Sequence, residues 1–363
     1  MKTIFTLVLC MCLGFMSAQN SMFVHTATAG NISADASFIT HPDLDGNPNA
    51  KILVTHTWNP PGSGGVYNQE VTGVFYSNGE NQWGVYNESG VPMTVGSSYN
   101  IYIAQGPGTV LHVADIANQG SVDSYSIVNH PDLNGNPNAR LLLTTYYNEN
   151  GVRNNHNYGV WYDDNINRWI IFSEDFQTIP LDSAFFITVE PDNAQTVKHV
   201  ATAGNISGNW TAIDHPLLNN NPDGIVLITH NWGISGASSN VVLDKALGVW
   251  YTGVGWAIYV EDQSAMPLDI EFDIMIFDPP LGVENSTIEG LTYFPNPVQD
   301  LITIDANKPI SRVTVFDILG KQVMQQNGEL NSMKINMSAL TTGNYLAKVE
   351  AGDAVQVIKL IKQ

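Results

Sequence analysis

Cysteine is almost missing from this chain. Only Cys10 and Cys12 occur in 363 residues, and both lie in a short apolar leader. That leader has one lysine, an apolar run from Ile4 to Met16, and Ser17-Ala18 before Gln19. It reads as a secretory signal peptide over residues 1–18, with neither cysteine placed for lipid attachment. With the leader removed, the mature chain has no disulfide, no thiolate nucleophile and no cysteine-ligated zinc. Basic residues are also scarce, with 14 Lys and Arg against 34 Asp and Glu. The deficit is concentrated in residues 19–283, which hold 6 basic and 26 acidic residues, whereas residues 284–363 hold 7 and 8. So acidic a body repels nucleic acid and anionic lipid headgroups. Beyond the leader no apolar run is long enough to span a bilayer as a helix. No Gly-x-Ser-x-Gly elbow is present, and no amphipathic helical period stands out.

What the chain has instead is one stretch written three times: His41-Pro-Asp-Leu-Asp-Gly-Asn-Pro-Asn-Ala50, His130-Pro-Asp-Leu-Asn-Gly-Asn-Pro-Asn-Ala139 and His215-Pro-Leu-Leu-Asn-Asn-Asn-Pro-Asp-Gly224. Three repeats can be aligned on it, over residues 22–106, 109–191 and 196–278. Each opens with a histidine-bearing segment (His25, His112, His199), followed six residues later by an asparagine (Asn31, Asn118, Asn205). An apolar run follows the repeated stretch and ends in His56-Thr-Trp58, Thr145-Tyr-Tyr147 or His230-Asn-Trp232. After a variable Gly/Asn/Ser loop, a hairpin runs from Gly73-Val-Phe-Tyr76 to Trp83, from Gly159-Val-Trp-Tyr162 to Trp169, and from Gly248-Val-Trp-Tyr251 to Trp256. The third turn is two residues shorter, which preserves strand parity and keeps the tryptophan on the same face. Short strands rich in β-branched and aromatic residues, with frequent turns, predict an all-β body of sandwich- or barrel-like repeats. Two arrangements fit: independent modules, or three units around a common pseudo-threefold axis.

A proline-bearing linker over 279–290 leads to a tail, 291–363, where the repeat pattern ends. Tyr293-Phe-Pro-Asn-Pro297, Val315-Phe-Asp-Ile-Leu-Gly-Lys321, Leu340-Thr-Thr-Gly-Asn-Tyr-Leu346 and the terminal Lys359-Leu-Ile-Lys-Gln363 together resemble the type A C-terminal sorting domain of the type IX (Por) secretion system. The residues carrying the likeness are Pro295, Asn296, Pro297, Gly320, Lys321, Gly343 and Tyr345. The resemblance implies an Ig-like β-sandwich, the type IX machinery as a partner, and a destination outside the cell or on its outer surface. The body is similar to a β-repeat module of uncharacterised secreted bacterial proteins, through Gly-Val-aromatic-Tyr…Trp…aromatic-x-Glu.

Four constellations could carry chemistry. Asp43, Asp45 and Asn47, and again Asp132, Asn134 and Asn136, alternate oxygen side chains as a calcium loop does. A proline stands where an EF-hand needs glycine, and the third copy has Leu217 for its first carboxylate, so the stretch reads mainly as a turn. No other cofactor is implied. Nine histidines recur by repeat, without the close spacing of a metal pair. Trp58, Tyr147 and Trp232, at one equivalent position before the variable loop, offer apolar faces for a sugar, whereas Trp83, Trp169 and Trp256 read as core. Glu88, Glu174 and Glu261 recur singly, with no evident pair for glycoside hydrolysis.

A catalytic centre is normally built once, whereas these polar features recur three times. The sequence therefore favours a secreted, non-enzymatic binding or adhesion protein with a glycan or surface polymer as ligand. A polysaccharide hydrolase or a structural surface-layer component are the alternatives.

Overall fold

The computed structural model describes residues 21–60, 64–104, 108–147, 151–190, 195–234, 241–277, 288–317, 322–352 and 354–363. The leader, most of the linker, Gly320 and Lys321 lie outside the described residues. The chain divides into two units, Met1–Asp278 and Pro279–Gln363. Among the described residues there are strands and turns but no α-helix, and therefore no helix long and apolar enough to cross a membrane.

Each repeat contributes the same strands to the body. An opening strand (Ser21–Thr26, Thr109–Val113, Thr196–Val200) pairs antiparallel with a closing strand (Ser98–Ala104, Ala184–Glu190, Glu271–Phe277). The closing strand pairs in turn with a central strand (Lys51–Thr57, Arg140–Tyr146, Ile225–Ile234). The predicted hairpins form over Thr72–Ser77 and Gln82–Asn87, Tyr158–Asp163 and Arg168–Ser173, and Leu247–Tyr251 and Trp256–Val260. Tyr76 faces Trp83, Tyr162 faces Trp169 and Tyr251 faces Trp256, so the shorter third turn does preserve parity.

No sheet belongs to one repeat. The first strand of each hairpin pairs in parallel with the central strand of the next repeat, and the third repeat pairs back onto the first. Gly73 faces Thr145, Gly159 faces His230 and Gly248 faces His56. The result is three sheets of seven, seven and six strands, each assembled from two repeats. Within a repeat, the two half-sheets face each other as a sandwich. In the first repeat Ile52, Tyr99 and Ile101 of one sheet pack against Ile39, Val74, Trp83 and Val85 of another. Equivalent cores form around Trp169 and Trp256. Sandwich repeats and a pseudo-threefold arrangement are therefore both present: three sandwiches joined edge to edge in a closed ring.

The repeated His-Pro stretch is the corner of each sandwich. The imidazole Nδ1 of His41, His130 or His215 accepts the backbone N–H two residues on. The carbonyls of Asn47, Asn136 and Asn221 accept the indole N–H of Trp83, Trp169 and Trp256 at 2.8–2.9 Å. A buried indole N–H needs such a partner, and the turn supplies it.

In the second unit a long strand, Leu301–Asp317, pairs with Gln322–Asn336 on one side and with Gly343–Ala351 on the other. The first two of these strands, Leu301–Asp317 and Gln322–Asn336, are the longest among the described residues. Both are continuous, with the irregularity absorbed as register shifts between Asp305, Ile310 and Arg312. Pro309 lies in that interval and has no N–H to donate to a ladder, which favours a bulge there. Around the Pro-Asn-Pro motif, Asn296 accepts the Ile361 N–H and donates to the Lys359 carbonyl, fastening the motif to the terminal strand. Tyr345 donates its hydroxyl to the Thr341 carbonyl at 2.8 Å, closing the loop that holds Gly343.

Candidate functional site: the axial pocket

The central strands meet on the pseudo-threefold axis. Leu53, Leu142 and Leu227, one per repeat, are almost fully buried together with Tyr102 and Met275. Two residues further along each strand lies a threonine ring. The Val54 N–H donates to Thr144 Oγ1, Leu143 N–H to Thr229 Oγ1 and Ile228 N–H to Thr55 Oγ1, at 2.9–3.1 Å. Each repeat thus donates to the next until the circle closes.

The seams between repeats are held by the recurring glutamates. Glu261 accepts hydrogen bonds from the Tyr259 hydroxyl, the Asn68 N–H and His56 Nδ1, the last two belonging to the first repeat. Glu174 accepts from His230 Nδ1 and the Leu243 N–H of the third repeat. Glu88 accepts from the Tyr86 hydroxyl and the Asn154 N–H of the second repeat, and Thr145 stands there in place of histidine. Without an imidazole beside it, Glu88 has its carboxyl pushed up by burial, against its hydrogen bonds and the nearby Arg153 charge. Arg153 bonds the Asn87 and Glu88 carbonyls, pairs with Asp35 at 2.6 Å and lies over the Tyr86 ring. These carboxylates are saturated by donors.

The seam also explains the glycine of Gly-Val-aromatic-Tyr. A Cβ on Gly159 would lie 2.5 Å from Glu174 Oε1, and one on Gly248 2.6 Å from Glu261 Oε1. The glutamate side chain crosses the strand where only hydrogen fits.

Beside the threonine ring is a pocket of about 140 Å³, lined by all three repeats. One water needs roughly 10–15 Å³ on this measure, so the pocket has room for a sugar-sized group. Thr55, Thr144 and Thr229 line it together with His56, His230 and Glu174. The Nε2 atoms of His56 and His230 are buried and have no hydrogen-bond partner among the described residues. The rim comes from three equivalent segments that differ from repeat to repeat. Glu70, His156 and Lys245 occupy one position, Val71, Asn157 and Ala246 the next, and Thr72, Tyr158 and Leu247 the third. His156 Nδ1 pairs with Asp175 at 2.7 Å, Lys245 Nζ with Asp262 at 2.8 Å, and Glu70 accepts the Ser89 hydroxyl.

The residues singled out in the sequence are placed elsewhere. Trp58, Tyr147 and Trp232 lie on the seams, half-buried, with their rings against Trp250, Tyr86 and Trp161 of the neighbouring repeat. Asp43 and Asp132 sit on the exposed corners, where Asn47 and Asn136 donate their amides to the Asp43 and Asp132 carbonyls. Asp45 and Asn134 accept the N–H of His41 and His130. No group of three His, Cys, Asp or Glu suited to a metal occurs among the described residues. His25, His112 and His199 bond Ser37, Ser126 and Thr211, whose hydroxyls donate to Asn31, Asn118 and Asn205. Burial holds all three imidazoles down at about 4. The rim residues carried no signal of their own, because the pocket exists only once the ring closes. The available hint was that the segments following the variable loops differ among otherwise parallel repeats.

Residues 15–80, 73–175 and 159–276 match a family described as a domain of unknown function (DUF7452). Residues 292–363 match the secretion system C-terminal sorting domain, as the tail motifs imply. No curated protein matches the chain. Among solved structures, PorZ, an essential bacterial surface component of the type-IX secretion system of Porphyromonas gingivalis, is 14% identical over 85% of this chain. The chain spans about half of that protein, 46%, with a TM-score of 0.19. The four N-terminal Ig domains of Dscam1 isoform 8.4 are 11% identical over 95% of this chain and 100% of that one, with a TM-score of 0.16. Both scores are far below that of a shared fold.

Proposed function

The chain belongs to the DUF7452 family through residues 15–276, and we propose that it is a non-enzymatic binding protein with one ligand site, the axial pocket. Its sorting domain makes it a secreted, cell-surface protein that engages the type IX machinery. The proposed ligand is a glycan, such as the end of a surface polysaccharide. The three repeats act as one body, with 291–363 as the export domain.

The observation that carries this reading is a contrast between copies. Glycine at 73, 159 and 248, tryptophan at 83, 169 and 256, and glutamate at 88, 174 and 261 are the same in every repeat, and each performs a packing or clasping task. At the rim the three repeats differ at each position. Three identical rims would make a symmetric opening, whereas Glu70, His156 and Lys245 make one asymmetric site able to orient a single ligand. Calorimetry with oligosaccharides should give one site per chain, and Lys245→Ala or Glu70→Ala should weaken binding. Three equivalent sites per chain, or binding untouched by rim substitutions, would contradict the assignment.

A further inference from the structure

The charges at this pocket are arranged so that little positive charge is left for a ligand, and that arrangement bears on ligand class. The inference rests on the glycan reading above and narrows it. His56 and His230 each commit Nδ1 to a glutamate, and those glutamates bind further donors, so that only the two Nε2 atoms stay without a partner among the described residues. His156 is paired with Asp175 and Lys245 with Asp262. Glu70 forms no salt bridge among the described residues, and the one hydrogen bond to its carboxylate there comes from the neutral Ser89 hydroxyl. Asp244 lies next to Lys245 and accepts the Asn157 amide across the seam. The unopposed charge at the mouth is therefore negative, in a body that is already strongly acidic. The inside is different. Thr55, Thr144 and Thr229 each spend an oxygen lone pair on a backbone N–H and keep the hydroxyl proton to donate. Uncharged hydroxyls inside and an unopposed carboxylate at the rim suit neutral hydroxyl groups, which both donate and accept. An anionic group would meet Glu70 with no free cation to offset its desolvation.

We propose that the axial pocket selects an uncharged, hydroxyl-rich sugar residue and rejects uronic acids and phosphorylated sugars, with the Lys245–Asp262 and His156–Asp175 pairs keeping its rim free of available positive charge.

The test uses the purified full chain. Neutral gluco-, manno- and galacto-oligosaccharides are titrated beside oligoglucuronate, oligomannuronate and oligogalacturonate at low salt. The expected result is binding of at least one neutral series and none of its uronate counterpart. Asp262→Asn then releases the Lys245 ammonium at the rim. It should raise uronate affinity about threefold to fivefold, the scale of one exposed charge pair. Uronates that bind the unaltered chain as well as neutral sugars overturn the selectivity but leave the glycan reading standing. Asp262→Asn without any gain for uronates overturns the role given to the ion pair. Failure of every saccharide to bind overturns the glycan reading, and this inference with it.

Discussion

The seams and the rim lie a few residues apart on the same strands and loops, yet they follow opposite rules. At the seams three repeats solve one problem in nearly one way: a glutamate crosses over a glycine and is saturated by the next repeat. At the rim three repeats present three different side chains. Repetition marks what the ring needs in order to close, and divergence marks what it does once closed.

Predictions that break the seams should have the largest effects. Glu261→Ala leaves His56 and the Asn68 N–H without their acceptor, and it should cost about 3–5 kcal/mol, the penalty for breaking a buried pair. Urea denaturation of the full chain reads this as a lower midpoint. Gly159→Ala forces a methyl against Glu174 and Phe172 and should cost about 1–3 kcal/mol by overpacking. If it is neutral, the glutamate does not cross there.

The next effect is one of pH. Burial lowers the pKa of His25, His112 and His199 to about 4, from the usual 6.5. Their contribution is intact above 6.5 and is lost as pH falls from there to 4, since the unfolded chain takes up protons that the folded one refuses. Asp273 has the opposite sign. It is fully buried, bonded to the Leu141 N–H and the Asn231 amide, and burial pushes its carboxyl up to about 7. Its contribution is intact below the usual 3.8 and is lost as pH rises through 7. Asn100, its counterpart in the first repeat, is already an amide and donates to the Val226 carbonyl. Asp273→Asn should therefore remove the fall in stability between about 3.8 and 7, leaving the opposing rise from the three histidines steeper over that interval and the slope above 7 unchanged. Urea midpoints between pH 4 and 9 decide it.

The smallest effect on stability belongs to the rim. Lys245→Ala should leave the urea midpoint unmoved, because the ammonium is exposed, while it weakens ligand binding. Equal losses of stability at rim and seam would erase the distinction between them.

Much of the fold was legible in local pattern. The hairpins, the buried Trp83, Trp169 and Trp256, and the corner role of His41-Pro and its copies follow from alternation, turn residues and parity. Ring closure was not, because parallel pairing between Gly248 and His56 joins segments almost two hundred residues apart and leaves no local trace. The same gap hid the purpose of Glu88, Glu174 and Glu261, whose spacing was visible but whose partners lie in the next repeat. Trp58, Tyr147 and Trp232 drew notice as exposed aromatics because the hairpin covering them belongs to a neighbour. The variable loops pointed closer to the pocket, since Glu70, His156 and Lys245 sit where those loops re-enter the sheet.

A crystal structure of the full chain soaked with the neutral oligosaccharide that binds tightest tests the central claim most directly. The account predicts one sugar residue per chain, in the axial pocket beside Thr55, Thr144 and Thr229 and contacted by Glu70. Sugars at three equivalent places around the ring, beside Trp58, Tyr147 and Trp232, with the axial pocket empty, would contradict it.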